Sequence, residues 1–196
     1  MTRRHPLIRW IPTFLAFPLA GLVTVATVGP LTAPLAGALG GLLAGAIVGG
    51  AQWLALRGLG VGRSWWLATA VATSLGTALG VALTGAGTST GELALRGLVT
   101  GAVVGVGQAI AVRRPALPAL AWTVTTSAAW GIGWWVTSRV IVDAERGYTT
   151  FGSSGALLAT LLTGAALPLV LGRRTPVAGS DAPDAAAAAS DAAVAR

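Results

Sequence analysis

The stretch GLLAGAIVGGAQWLALR, Gly41–Arg57, returns fifty-six residues later as GLVTGAVVGVGQAIAVR, Gly97–Arg113, with more than half of its positions identical. Each copy sets three glycines four residues apart, then one glutamine, then one arginine. On a helix each residue turns about 100°. With Gly41 as origin, Gly45 lies at about 40°, Gly49 at about 80° and Gln52 at about 20°. Gly97, Gly101, Gly105 and Gln108 repeat that arrangement. Arg57 and Arg113 fall at about 160°, on another face. The pattern predicts two helices, each with a glycine stripe that carries one amide.

Glycine costs a helix in water about 1 kcal/mol against alanine. In lipid it is useful, because apolar contact between helices gains little over contact with lipid tails and close backbone approach takes over. The composition places the chain in that setting. It has 196 residues, 54% hydrophobic and 10% charged, with a mean hydropathy of +0.76; an ordinary soluble domain is about 25% charged. There is no cysteine, so disulfides and thiolate metal sites are excluded. All thirteen basic residues are arginines. They punctuate apolar runs instead of gathering on one surface, so the net charge of +7 does not indicate a nucleic-acid binder.

No charge lies between Arg9 and Arg57, a run too long for one membrane helix and suited to two. Six spans are predicted, at about 10–29, 35–56, 65–84, 95–112, 119–138 and 153–171. Residues 1–9 form a short leading segment, and 175–196, an alanine-rich run with aspartates, a disordered tail. One side receives Arg3, Arg4, Arg9, Arg57, Arg63, Arg113, Arg114, Arg173 and Arg174. The other receives Arg96, Arg139 and Arg146, with Glu92, Asp143 and Glu145. This asymmetry puts both termini in the cytoplasm.

The repeat extends beyond the quoted stretch. Trp10, Trp66 and Trp122 lie at equal intervals, each at the cytoplasmic start of an odd-numbered span. The unit is then a helical hairpin, present three times. In the third copy Ala156, Thr160 and Gly164 stand where Gly41, Gly45 and Gly49 stood, and Leu167 replaces the glutamine. Trp10, Trp65, Trp66 and Trp122 are expected at the inner interface and Trp134 and Trp135 at the outer one, anchoring the bundle. Trp130 and Trp134, four apart, share a face suited to helix packing.

The pattern G-x-x-x-G-x-x-x-G-x-x-Q-W-x-x-L-R, followed by Trp65–Trp66, resembles a group of uncharacterised bacterial multi-pass membrane proteins with tandem copies of this motif. The second copy departs at Ala109, where the tryptophan is missing. The resemblance implies a bacterial plasma-membrane location and a repeated architecture only.

Two readings of the glutamines stand side by side: an interhelical hydrogen bond, or a ligand contact in a cavity between the even-numbered spans. Arg57 and Arg113 terminate spans, and the same placement suits contact with lipid phosphate. Catalysis lacks reagents. The single histidine is His5, ahead of the first span, and no span contains a carboxylate to relay protons. Neither a cofactor nor a metal is indicated. The sequence therefore points to an all-helical, non-enzymatic membrane protein of structural or interaction type. Its partners are lipid and a second copy or another membrane protein. A passive channel for a small neutral solute is the alternative.

Overall fold

A computed structural model describes residues 6–140 and 152–172. Among these residues all regular structure is helical. Helix α1 (Pro6–Trp10) runs through a 3-10 segment, Ile11–Leu15, into α2 (Ala16–Thr27). Then come α3 (Pro34–Leu56), α4 (Ser64–Thr84), α5 (Thr90–Ala111), α6 (Ala116–Ser138) and α7 (Ser153–Leu171). Five helices are long and apolar enough to cross a membrane: Leu7–Thr27, Pro34–Leu59, Ser64–Thr84, Thr90–Ala111 and Ser153–Leu171. Helix α6 has comparable length, but its four tryptophans and its threonines lower its hydropathy. The expected leading segment up to His5, the outer loop with Asp143, Glu145 and Arg146, Arg173, Arg174 and the tail lie outside the described residues.

Local chemistry explains the boundaries. The first span is not one regular helix: Pro12 and Pro18 interrupt it, and Pro18 denies the Phe14 carbonyl its α-helical donor, so the chain tightens into a 3-10 turn. Pro34 opens α3 at its first position, where a missing N–H costs nothing. Helix α5 starts earlier than hydropathy indicates. Ser89 caps it, and Glu92 bonds back to the Ser89 amide, a reciprocal box that holds Thr90–Ala94 helical.

Successive helices from α3 to α7 pack side by side, α7 returns against the first span, and α2 lies on α3, so the bundle closes into a ring. The most extensive contacts join α3 to α4 and α5 to α6. At one end Arg9 lies against Gly58, Ser64 Oγ donates to the Ala111 carbonyl and Arg114 Nε to that of Leu169. That end carries Arg9, Arg57, Arg63, Arg113 and Arg114. Glu92, Arg96 and Arg139 lie at the other end.

Residue sizes are distributed inside out. Leu22, Leu35, Leu67, Leu75 and Leu117 face outward, whereas the interior holds alanine, glycine, threonine and tryptophan. Several buried threonine hydroxyls bond to carbonyls one turn back, as Thr73 does to Thr69 and Thr126 to Trp122, whereas those of Thr24 and Thr160 are buried without a partner.

Candidate functional site

The two glycine stripes sit where helices nearly touch. A Cβ on Gly41 would stand 2.6 Å from the Thr73 carbonyl oxygen, on Gly45 2.7 Å from Thr73 Cβ, and on Gly49 2.7 Å from Thr69 Cβ. On α5 the values are 2.5 Å from the Trp130 oxygen for Gly97, 2.6 Å from the Thr126 oxygen for Gly101 and 2.6 Å from Thr123 Cα for Gly105. Each stripe therefore faces the helix that follows it, α4 or α6. Gly164, the only glycine of the third set, faces Trp10 and Leu7 of the first span. The stripes thus face α4, α6 and α1 in turn, one helix out of phase with the sequence hairpin.

At the arginine-rich end of these stripes the two amides meet. Gln108 Nε2 donates to Gln52 Oε1 at 3.1 Å and to Thr69 Oγ1 at 3.0 Å. Trp65 Nε1 donates to Gln52 Oε1 at 3.3 Å, and Trp122 Nε1 to Gln108 Oε1 at 3.1 Å. The network ties α3, α4, α5 and α6 together, and every one of these side chains is buried. Both amide orientations follow from it, because each Oε1 accepts from an indole N–H, which can only donate. In the third pair, Leu167 has no acceptor to offer. Trp10 Nε1 donates instead to the Thr160 carbonyl at 3.0 Å and to Thr163 Oγ1 at 3.2 Å. One indole per pair thus bonds the helix that precedes it around the ring.

The three indoles form a cluster. Trp10 and Trp65 lie 6.4 Å apart at 81°, and Trp65 and Trp122 6.1 Å apart at 54°. This corrects the anchoring expected of the tryptophans. Trp10, Trp65, Trp122 and Trp134 are buried inside the bundle; only Trp66 and Trp135 face outward, at 37% and 49% exposure. It also corrects the repeat. The interior partner of Trp122 is Trp65, not Trp66, because one extra residue separates glutamine from tryptophan in the second pair. A signal was available: Trp65 and Trp122, unlike Trp66, are each followed four residues later by threonine, Thr69 and Thr126.

Beside the network lies a cavity of about 10 Å³ (the room open to the centre of a water molecule), lined by Trp10, Gln52, Gln108, Trp122, Thr126 and Thr163 among others. That is the room one water needs, and far less than a solute requires.

Arg57 and Arg113, equivalent in sequence, differ in structure. Both are exposed. Arg57 begins a 3-10 turn and lies 5.9 Å from the Trp53 ring centroid. Arg113 takes a left-handed φ of 54° just past α5. Arg96, assigned to the outer side at the start of the predicted span 95–112, is 2% exposed. Its stem packs on Gly80, and Nη2 donates to Thr84 Oγ1 at 3.1 Å and to the Gly87 carbonyl at 2.9 Å.

Trp122→Phe is expected to cost about 1–3 kcal/mol, because it leaves buried Gln108 Oε1 without a donor. Trp135→Phe on the same helix is expected to stay within about 0.5 kcal/mol. Detergent melts of the two variants check this; equal midpoints would remove the indole from the network's energetics.

No family model, no curated protein and no solved structure matches this chain.

Proposed function

We propose that this chain is a bacterial plasma-membrane protein of structural or interaction type, with six spans, both termini in the cytoplasm and no catalytic activity. The observation that carries this reading is the Gln52–Gln108 bond. Gln52 Oε1 and both ends of the Gln108 amide are engaged with each other and with Trp65, Trp122 and Thr69, which supports a lock between helices. The cavity beside them, about 10 Å³, has room for one water and none for a solute. The outward leucines and inward small residues support burial in lipid. Helix α6 completes the set of six. Its Trp122 indole and its Thr123, Thr125, Thr126, Ser127 and Ser138 hydroxyls all have acceptors, which suits hydrocarbon despite its lower hydropathy. The resemblance to tandem-repeat membrane proteins belongs to the same proposal. Lipid surrounds the bundle, and a second copy or another membrane protein is the further partner.

Flux separates this reading from a passive channel. Glycerol entry into proteoliposomes containing the chain is expected to equal that of empty liposomes, and Gln52→Leu with Gln108→Leu is expected to leave it unchanged. Amide-dependent entry would establish the channel instead.

Orientation has its own test. The chain has no native cysteine. Gly91→Cys is expected to react with an impermeant thiol reagent on intact cells, and Gly62→Cys only after lysis. Labelling of Gly62→Cys in intact cells would reverse the assignment.

A further inference from the structure

The QW-x-x-L-R end of the first repeat builds a second feature, on the outer surface. Trp53 and Trp66 stack with centroids 6.0 Å apart and planes 13° apart. Trp66 Nε1 is fastened to the Ala46 carbonyl at 2.8 Å, which holds the platform in place. Arg57 and Arg63 approach the same Trp53 ring from different elements, each guanidinium carbon 5.9 Å from the centroid. Arg9 arrives from the first span, with Nη1 only 2.7 Å from where a Cβ on Gly58 would stand. Three guanidinium groups thus gather around one loop.

Nothing negative answers them among the described residues, where the one carboxylate is Glu92 at the opposite end. Like charges brought together on an exposed surface repel, and an exposed ring face returns only about 0.5–1 kcal/mol for each. A guanidinium stacked on a ring keeps its edge N–H groups free, in the fork geometry that fits phosphate oxygens. An aromatic platform with arginines at the end of two spans sits at the level of lipid headgroups.

We propose that Arg57 and Arg63 at the Trp53–Trp66 stack, with Arg9 beside Gly58 of the same loop, hold the phosphate of one anionic phospholipid. This assignment rests on the membrane reading above. The second repeat lacks the site: Ala109, buried, replaces Trp53, and Arg113 takes a left-handed φ where Arg57 continues into a 3-10 turn.

The test uses the full chain in neutral detergent, titrated with phosphatidylglycerol or with phosphatidylcholine of the same acyl chains, with bound lipid counted by native mass spectrometry. Phosphatidylglycerol is expected to bind about tenfold more tightly. Arg57→Gln with Arg63→Gln is expected to abolish that preference, and Arg113→Gln to preserve it. If the double variant fails to fold, Arg63→Gln alone, in the loop, is expected to reduce the preference about threefold. A preference that survives both variants overturns the proposal. So does displacement of the lipid by millimolar inorganic phosphate, which would mark a free-phosphate site. A preference seen only after deletion of residues 178–196 also overturns it, since the tail's aspartates would then be the occupants. Alkaline carbonate extraction of cell membranes keeps the two failures apart. Release of the chain defeats the membrane reading; retention without lipid preference defeats only this site.

Discussion

Gly97→Ala, one added methyl group, is expected to cost about 1–3 kcal/mol, and Gly97→Leu substantially more. A Cβ at Gly97 would stand 2.5 Å from the Trp130 carbonyl oxygen, 2.9 Å from its carbon and 2.7 Å from Trp134 Cδ1. Two of these atoms are backbone, so relief requires α5 and α6 to move apart. That separation would open the interface along Gly101 and Gly105 as well. Gly91→Ala, on the same helix, is the control, because nothing lies within 4 Å of its Cβ position. It is expected to be neutral or to gain a fraction of the ~1 kcal/mol by which alanine exceeds glycine in a helix. Alanine's preference for helix acts at both sites, so the difference between the variants isolates the steric clash. Thermal or denaturant midpoints in one detergent measure it. Equal midpoints would mean that the α5–α6 approach is not tight.

The second large effect lies in the amide pair. Gln108→Leu would strand the Trp122 indole N–H and remove the donor that joins α5 to Gln52 and Thr69. Gln52→Leu would strand the Trp65 indole N–H and leave Gln108 with one hydrogen unmet. Each is expected to cost about 1–3 kcal/mol, the penalty for a buried group without its partner. The double variant is expected to cost less than the sum by about 1 kcal/mol, since the shared bond is lost only once. Leucine at this depth is tolerable in itself: Leu167 occupies it in the third pair, where the Trp10 indole has backbone and threonine acceptors instead. A strictly additive double variant would mean that the two amides act independently.

Much of the architecture could be read along the chain because it is local. Helical periodicity, span length and prolines at helix starts act within a few residues. The range 153–171 expected for the last span therefore coincides with α7, and the break at Ile11–Leu15 is traceable to Pro12 and Pro18. The helical repeat angle alone puts Gly41, Gly45, Gly49 and Gln52 on one face, and all four are buried.

What each face meets was not local. A one-residue change in register turns a helical side chain by about 100°. The sequence interval selected Trp66, whereas the bundle buries Trp65 and leaves its neighbour on the surface. The predicted span 95–112 already began beside Arg96, but its burial depended on the capping box at Ser89, which starts α5 a turn earlier, and on Gly80 of α4, which makes room for its stem. The amides are common to both repeats, yet their bond to each other depends on the rotation and depth of α3, α4 and α5 together. The residue pattern by itself determined the helices and their glycine-lined faces, because backbone geometry sets those a turn at a time. Only the tertiary structure decided which faces meet, which tryptophan enters the interior and which arginine is buried. Loop length and helix rotation settle those choices, and neither is encoded in any single segment.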